Sequence, residues 1–419
     1  MSGDPPGGAG RVDDEGGRRS RAASPPLPKL APMTTDPWVA AAAPAIAARA
    51  ERELEALVGV SSPSGDVRGA EEAVAVAAAL LGAPFEVERV ACSSPGHAPD
   101  LLARVRGSGG RRLLLLGHLD TVVSHEAHRP LTRREGRLSG SGAIDMKGGV
   151  VLALGVLRAL ADRAADAPPA PRFGEVALLL VNDEEWRRHP FAHVQRFAGW
   201  DACLCFEAGE RGPDGEEGVV VRRKAAGTLR VEAHGASAHS GSAPDRGRNA
   251  LLALAAAAER VAAFHEPAGG ERLSAVPTIL RSGDAFNVVP ATGELYCDLR
   301  ADRLEAIEPV AAALPDEVGG ARLDAELIRR WPGMDSREAT RGLLAAGSER
   351  LGRPIIAAER GGASDASHVA PHVGLCVDGL GPRGGGAHTP EEFVLASSLV
   401  SRAEVALALV AALLDDRPG

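Results

Sequence analysis

Apolar and polar positions follow two kinds of pattern along the chain. Short apolar runs bounded by turn residues recur at 85–91, 101–105, 113–116, 175–181 and 201–206, and such runs are typical of strands buried on both faces of a sheet. Longer stretches rich in Ala, Leu, Glu and Arg predict helices at 38–60, 71–81 and 149–163. Helices that alternate with buried strands predict an α/β domain whose mixed, mostly parallel sheet is covered by helices.

A different pattern begins near Ala226. Strands are predicted at 228–235, 277–281, 293–300 and 321–328, and helices at 249–264 and 301–314. This βαββαβ order is that of a ferredoxin-like unit, so we expect a second, smaller domain inserted into the first. The α/β pattern returns after Gly333, with helices at 340–352 and 398–414 around a short strand at 374–380.

Composition adds to this division. A chain of 419 residues is too long for one core of typical size. Residues 1–32 are rich in Gly, Pro, Arg and Asp with almost no apolar content, which predicts disorder. We therefore predict a disordered tail at 1–36, the first part of the larger domain at 37–225, the inserted domain at 226–332 and the second part of the larger domain at 333–419.

Charge and cysteine usage exclude several classes of protein. The net charge of −9 gives no reason to expect nucleic acid or an anionic membrane as a partner, because both require basic patches. Five cysteines are scattered along the chain without the spacing of a disulfide framework or a zinc ribbon. No signal-peptide core and no transmembrane run is recognisable, so we expect a cytoplasmic protein.

Polar residues follow the predicted strands where each one ends. His118 and Asp120 come after the four leucines at 113–116, and alternation in extended backbone puts both on one side, where a carboxylate can orient a metal-binding imidazole. Alone, such a pair would be an ordinary strand end. Asp145, between glycine-rich flanks, would alone be a helix cap. The remaining polar positions of this kind are Glu184, Glu185, Glu207 and His388.

Taken together, these residues indicate a metal site. Imidazole and carboxylate ligands without cysteine suit zinc in a hydrolytic centre. Several carboxylates converging on one crevice repel each other unless a cation offsets their charge. Two metal ions sharing one bridging Asp would need about this number of ligands.

Eight segments of the chain resemble one known family when they are taken in order. They are GHLDTV, SGAIDMKGG, VNDEE, FEAG, GASAHSGSAPDRGRNA, FNVVP, GGASDASH and GGGAHTPEE. Together they are similar to the zinc-dependent metallopeptidases and deacylases that include glutamate carboxypeptidase, acetylornithine deacetylase, succinyl-diaminopimelate desuccinylase and aminoacylase. The resemblance runs from about Pro37 to the carboxyl terminus. It implies a metallohydrolase acting on peptide or linear amide bonds.

The resemblance also implies a role for each site residue. His118, Asp145 and Glu207 would bind one Zn²⁺, while Asp145, Glu185 and His388 would bind a second, with Co²⁺ or Mn²⁺ as possible substitutes. Asp120 would orient His118, and Glu184 would be the general base that activates water. A cis peptide bond is implied between Asp145 and Met146.

The inserted domain carries the other implied positions. There the resemblance implies a lid that forms a homodimer and places His239 in the partner's active site, where it would stabilise the oxyanion. It further implies that Asn287 and Arg300 hold the substrate's carboxylate.

The sequence departs from the family after the paired glutamates. The family has a small Gly/Ser turn there, whereas this chain has WRRHPF, so we expect Trp186, Arg187 and Arg188 to line or cover that edge of the pocket. The pairs His189/His193 and His368/His372 have the helical spacing of metal ligands, but a proline interrupts each pair. We interpret those four as surface or packing histidines.

Three functions are weighed on this basis. The first is a zinc-dependent amidohydrolase or metallopeptidase, of carboxypeptidase or deacylase type, acting on a small N-acyl amino acid, a glutamate conjugate or a dipeptide. The alternative is a non-catalytic metal-binding scaffold that retains the fold, although no ligand and no base has been lost. A phosphodiesterase with a similar site is the third, and the motifs around His239 and FNVVP argue against it.

Overall fold

The structure is a computed structural model that describes residues 34–165 and 173–415. The predicted disordered tail lies outside the described residues except for 34–36. The segment 167–171, APPAP, whose Pro/Ala composition predicts a linker, also lies outside them.

Helices and helical turns have the following bounds in the described ranges. The α-helices are α1 (Pro37–Val58), α2 (Val67–Leu81), α3 (Gly148–Ala165), α4 (Val194–Phe197), α5 (Ala250–Ala262), α6 (Glu308–Ala312), α7 (Arg337–Leu351), α8 (Ala366–Val369) and α9 (Ser398–Leu413). A π-type turn spans Ala143–Lys147, and 3₁₀ turns span Pro244–Arg246, Leu304–Ala306 and Ala370–His372.

Strands in the same ranges form four sheets. They are β1 (Glu86–Val90), β2 (Asp100–Arg106), β3 (Arg111–His118), β4 (Thr132–Arg134), β5 (Arg137–Ser139), β6 (Phe173–Val181), β7 (Ala202–Cys205), β8 (Glu210–Arg211), β9 (Glu217–Arg223), β10 (Ala225–His234), β11 (Ser274–Ser282), β12 (Thr292–Ala301), β13 (Glu317–Val318), β14 (Ala321–Trp331), β15 (Met334–Asp335), β16 (Ile355–Arg360), β17 (Leu375–Val377), β18 (Gly384–Gly385) and β19 (Phe393–Leu395).

The central sheet has the order β1-β2-β6-β3-β7-β17. Strands β6, β3, β7 and β17 are parallel, while β1 and β2 run antiparallel at one edge. The leucines of β3 explain why the run is continuously apolar: Leu113 and Leu115 pack into one core with α1, α3 and α9, whereas Leu114 and Leu116 pack into another with Phe197 and Val369. Both faces of the sheet are covered, as the sequence predicts.

The inserted sheet has the order β11-β12-β10-β14-β13 and is antiparallel throughout. The four strands β11-β12-β10-β14 have the order of a ferredoxin-like unit. The sheet packs against α5 around a separate apolar cluster. One predicted helix is wrong in extent. The segment 301–314 holds only a 3₁₀ turn and α6, because Ala301 still pairs with Ala225 in the sheet and Pro309 lacks the N–H that a continuous helix would use.

Two smaller sheets were not predicted. Strand β9 pairs with β16 in parallel and with β8 and β15 in antiparallel, and β18, β19, β5 and β4 form the other sheet. The exact domain boundaries stay a prediction, although the inserted sheet runs from Ala225 to Trp331. All five cysteines are free, and no helix of the described residues is long and apolar enough to cross a membrane.

Candidate metal centre and active site

Four of the predicted site residues lie at the carboxyl ends of parallel strands. His118 ends β3, Glu184 and Glu185 follow β6, and Glu207 follows β7. This edge is where open α/β sheets place their ligands, because the strands end together and the connecting loops diverge.

Asp145 lies between two histidines at the centre of the site. Its Oδ1 is 3.2 Å from Nε2 of His118, and its Oδ2 is 3.0 Å from Nε2 of His388. Glu207 Oε1 lies 3.7 Å from His118 Nε2, and Glu185 Oε2 lies 3.2 Å from His388 Nε2. The structure therefore forms two groups of possible metal ligands that share Asp145.

Asp120 supports both sides of this arrangement. Its Oδ1 lies 3.4 Å from Nδ1 of His118, on the side of the ring away from Asp145. The same carboxylate accepts hydrogen bonds from the backbone N–H groups of Glu184 at 3.2 Å and Glu185 at 3.1 Å. The backbone oxygen of Asp120 is closer still to His118 Nδ1, at 3.0 Å. Asp120 thus orients the imidazole, and its buried carboxylate fixes the turn that carries the paired glutamates.

Glu392 is a supporting residue that the sequence analysis missed. It is buried, and its carboxylate accepts hydrogen bonds from the backbone N–H groups of Gly142, Ile144 and Asp145 at 2.8 to 2.9 Å. These bonds hold the loop that contains Asp145 and its cis peptide bond to Met146. The only sequence signal for it is its place in the quoted HTPEE segment.

Burial and mutual repulsion shift the pKa values of the site carboxyl groups. Burial raises the pKa of Glu185 to about 8 and that of Glu207 well above its usual value, and the charge of Asp145 adds to both shifts. Burial also raises the pKa of Glu184. For Asp145 burial acts in the same direction, but hydrogen bonds to His118 and His388 outweigh it and lower the pKa.

The pKa values of the two imidazoles are also raised, but by hydrogen bonds to carboxylates. Hydrogen bonds to Asp145 and Glu185 raise the pKa of His388 to about 10. Burial lowers the pKa of His118, yet its hydrogen bonds to Asp120 and Asp145 outweigh that effect and raise it well above the usual range. The protein alone must therefore neutralise this cluster with protons.

These residues fit a pair of divalent cations. None of the four carboxylates of Asp145, Glu184, Glu185 and Glu207 forms an ion pair with Lys or Arg in the described part of the chain. Glu185 Oε1 is buried without a hydrogen-bond partner there, and a ligated cation would satisfy such an oxygen. The oxygen and imidazole donors suit zinc.

A cavity of about 280 Å³ opens beside the site. Its walls are Asp145, Glu184, Glu185, Glu207, Arg223, Arg300, Arg329, Arg360, Gly361, Gly362, Ala363 and His388. Arg300, predicted to bind substrate, does line it. His239 and Asn287 do not: both are exposed elsewhere on the inserted domain, where Asn287 O accepts from Ser240 N at 3.0 Å.

The expectation for the WRRHPF segment is wrong for Arg187, and neither Trp186 nor Arg188 is among the residues that line the cavity. Trp186 is 61% exposed and Arg188 is also exposed, but Arg187 is fully buried. Its guanidinium pairs with Asp365, lies near Asp183 and rests against the rings of Phe191 and Trp331. The two carboxylates compensate its charge, so it packs inside instead of covering the pocket.

The four histidines interpreted as surface or packing residues are not among the possible metal ligands of the described residues. His193 Nε2 bonds Asp100 Oδ2 at 2.8 Å, and His368 packs against Trp331 with ring centroids 4.8 Å apart. His189 and His372 line a groove outside the site.

Comparison with known proteins identifies the family. The profile of peptidase family M20/M25/M40 matches residues 114–412. Carboxypeptidase G2 from a Pseudomonas species is 26% identical, over 86% of this chain and 88% of that protein. A succinyl-diaminopimelate desuccinylase from Rhodospirillum centenum is 30% identical, over 78% of this chain and 87% of that protein.

Solved structures share the fold. A tripeptidase from Staphylococcus aureus superimposes with a TM-score of 0.70 at 20% identity, covering 88% of this chain and 98% of that one. A family M20 metallo-carboxypeptidase from Sulfolobus solfataricus gives a TM-score of 0.64 at 16% identity, covering 86% and 98%. With the profile match and the named relatives, the chain belongs to peptidase family M20/M25/M40 and is an enzyme of the peptidase and amidohydrolase type.

Proposed function

We propose that this protein is a zinc-dependent amidohydrolase that cleaves the amide bond of a small N-acyl amino acid, a glutamate conjugate or a dipeptide. The observation that carries the proposal is the position of Asp145, whose two oxygens face His118 and His388. A carboxylate shared in this way suits a pair of metal ions. Relatives named carboxypeptidase G2 and succinyl-diaminopimelate desuccinylase support the reaction class.

His118, Asp145 and Glu207 would hold one ion, and Asp145, Glu185 and His388 the other. When bound, the ions would supply Lewis-acid polarisation of the substrate carbonyl and would lower the pKa of a water molecule. Asp120 orients His118 and leaves its other ring nitrogen facing Asp145. His118 is thereby held by the protein before an ion arrives.

Glu184 would act as the general base. It lines the cavity and belongs to neither group of possible metal ligands, so its carboxylate is free to exchange a proton. Burial raises its pKa, which makes it a stronger base than an exposed glutamate. Glu184 would take a proton from the attacking water and return it to the leaving amine.

A second copy of the chain would complete the site. His239 and Asn287 lie close together on the inserted domain, where Ala243 N donates to His239 O and Ser240 N to Asn287 O, both at 3.0 Å. Since neither lines the cavity of its own chain, we propose that a homodimer formed through this domain presents them to the partner's site. Their roles would be to stabilise the oxyanion and to bind substrate, together with Arg300.

The location and metal follow the same reasoning. Five free cysteines suit a reducing compartment, and we propose the cytoplasm. Zinc is the proposed native ion, and Co²⁺ or Mn²⁺ could replace it because the donors are imidazole and carboxylate.

The decisive experiment is hydrolysis by metal-free and zinc-reloaded protein of N-acetyl, N-succinyl, glutamate-conjugate and dipeptide substrates. We expect activity to return with about two zinc ions per chain and to fall at least about 1,000-fold in Glu184→Gln, because that change removes the base and leaves the ligands. Asp214→Asn, at an exposed loop, is the matched control and should keep full activity.

Zinc bound in this stoichiometry without turnover of any substrate would instead favour the metal-binding scaffold. Hydrolysis that continues at the same rate after a chelator has removed the metal would refute the proposed mechanism.

A further inference from the structure

Arg187 lies where three parts of the molecule meet behind the active-site cavity. It directly follows the turn that carries Glu184 and Glu185, here called the glutamate turn, and its side chain is fully buried. Its Nη2 donates a hydrogen bond to Asp365 Oδ1, and its Nε lies 3.6 Å from Asp183 Oδ1. Burial lowers the pKa of Arg187, but the charges of these two aspartates outweigh that effect and raise it, so the guanidinium stays charged.

The bond to Asp365 connects the glutamate turn to one wall of the cavity. Asp365 immediately precedes α8 and follows the residues 361–363, which line the cavity and are here called the cavity loop. The middle of this loop is held by Arg223, whose Nη1 donates to Gly362 O at 2.9 Å. The cavity loop is therefore attached both to β9 and to the residue that follows the glutamate turn.

The same guanidinium also contacts the inserted domain. Arg187 Cζ lies 5.0 Å from the ring centroid of Trp331, the last residue of β14, which is 1% exposed. It lies 4.7 Å from the ring centroid of Phe191. Two rings and two carboxylates leave this planar group little freedom. One side chain thus relates the glutamate turn, the cavity loop and the end of β14 to each other.

Folding stability alone does not account for this arrangement. Arg187 Nε and Nη1, Asp183 Oδ1 and Asp365 Oδ2 are buried without a hydrogen-bond partner within residues 34–165 and 173–415. Charged and polar atoms are costly to remove from water unless hydrogen bonds replace those to the solvent. A buried ion pair that leaves such atoms unsatisfied is a weak source of stability. Its geometric effect on the site is therefore the more important one.

We propose that Arg187 is a positioning residue for catalysis, which fixes the cavity loop relative to Glu184 through its bond to Asp365. The inference rests on the proposed amidohydrolase function. A substrate held against the loop reaches the general base only if the loop and the turn keep their separation, and misplacement by about 1 Å can cost roughly 100-fold in rate. Arg187 does not line the cavity, so it acts through these two segments and not on the substrate.

Steady-state hydrolysis of the best substrate in the panel, below the melting temperature of each variant, tests this role. In zinc-loaded Arg187→Met we expect kcat to fall on the order of 100-fold. KM should change less than about threefold, because no cavity-lining group is removed, and the zinc content should equal that of the parent. Arg187→Lys keeps the charge without the planar fork, so it should recover part of the lost kcat.

A second comparison asks whether Arg187 acts through Asp365. Asp365→Asn alone and Arg187→Met/Asp365→Asn together should lower kcat by about the same factor as Arg187→Met, because residues that act as one unit do not give additive losses. The matched control is Arg188→Met, which removes the exposed arginine of the next position. It should leave kcat and KM unchanged.

Three results would overturn the positioning role: losses that multiply in the double variant, an unchanged kcat in Arg187→Met, or loss of zinc together with turnover. If Arg187→Met does not fold, Arg187→Lys and Asp365→Asn carry the same comparison. A parent protein without zinc-dependent hydrolysis would refute the proposed function, and the role of Arg187 with it. The parent alone therefore distinguishes failure of the function from failure of this inference.

Discussion

A buried carboxylate outside the two ligand groups supports the candidate metal centre by binding the backbone of a ligand loop. Glu392 illustrates this, because it belongs to neither group of possible metal ligands among the described residues and yet accepts hydrogen bonds from three backbone N–H groups of the loop that contains Asp145. The neighbouring Glu391 is exposed. Adjacent glutamates in the sequence thus have unrelated roles.

Substitution of Glu392 should weaken metal binding. We expect Glu392→Gln to lower zinc affinity about 10- to 100-fold, the usual effect of removing a group that orients ligands, because an amide cannot accept all three bonds equally well. Competition with a chelating dye measures the affinity. Glu391→Gln is the control, and equal affinities in the two variants would contradict the role given to Glu392.

His368 is a half-buried histidine that pairs with no carboxylate among the described residues, and its pKa contributes to stability in acid. Burial, with the nearby charges of Arg187 and Arg329, lowers that pKa from 6.5 to about 3. Between these values the unfolded chain binds a proton at this residue that the folded chain does not. The contribution of His368 to the free energy of unfolding is therefore complete above pH 6.5 and is lost as pH falls towards 3. The expected slope from this residue is about 1.4 kcal/mol per pH unit.

Denaturant unfolding between pH 7 and 4 measures this slope. We expect the free energy of unfolding of His368→Phe to fall less steeply with decreasing pH than that of the parent, since other groups titrate equally in both proteins. His189→Gln controls for the loss of an exposed imidazole. Parallel curves for the parent and His368→Phe would show that the buried ring is protonated in the folded state.

At the scale of elements, close packing of α3 on β7 aligns two parts of the site. Gly149, in the first turn of α3, lies so near the end of β7 that a Cβ would overlap the backbone oxygen of Phe206. Asp145 precedes this helix and Glu207 follows this strand. The separation of the two carboxylates therefore depends on the absence of a side chain at residue 149.

An alanine at this position should be destabilising. We expect Gly149→Ala to lower the free energy of unfolding by about 2–3 kcal/mol, because the backbone must shift to relieve the overlap. Gly342→Ala in α7, where a Cβ meets nothing within 4 Å, should instead raise it by about 0.5–1 kcal/mol. Thermal and urea unfolding compare the pair, and similar signs for both would contradict the packing argument.

The elements show where sequence reasoning succeeds and where it stops. The continuous leucines of β3 predicted the main sheet, because a strand buried on both faces is apolar at every position. The change of pattern after Ala226 predicted the inserted sheet, because strands buried on one face alternate between apolar and polar residues. Burial of Arg187 leaves no such trace. Its compensating partner Asp365 is distant in sequence, and only the folded chain brings them together.

The candidate site divides in the same way. Ligand types at strand ends, with the family resemblance, led to the residues that the structure brings together around Asp145. Glu392 escaped notice because a single glutamate in a loop has no distinguishing pattern. Its role comes from the backbone N–H groups of Gly142, Ile144 and Asp145, which are distant in sequence and are brought to it only by the fold.

The whole molecule has an exposed apolar edge that suits the proposed dimer. Strand β11 is the outermost strand of the inserted sheet, and its side chains Val276, Ile279 and Leu280 are 40–42% exposed. An unpaired apolar edge of this kind is a ready surface for a second chain. His239, which does not reach its own cavity, lies on the same domain.

Disrupting this edge should remove both the dimer and the activity. We expect the parent to sediment as a dimer and Ile279→Lys as a monomer with at least about 100-fold lower turnover, the scale of a lost oxyanion donor. Ala345→Lys, on exposed α7, adds the same charge and should change neither property. A fully active monomer would rule out a contribution from the partner chain.

The order of the donors along the chain sets the order in which they are synthesised. His118, Asp145 and Glu207 precede the inserted domain, and Glu185 does as well, whereas His388 follows it. During translation the first group of donors is therefore present while the second still lacks its imidazole. Glu392, whose carboxylate holds the loop around Asp145, also follows the inserted domain. Both candidate ligand groups can therefore reach their folded arrangement only after that domain has been made.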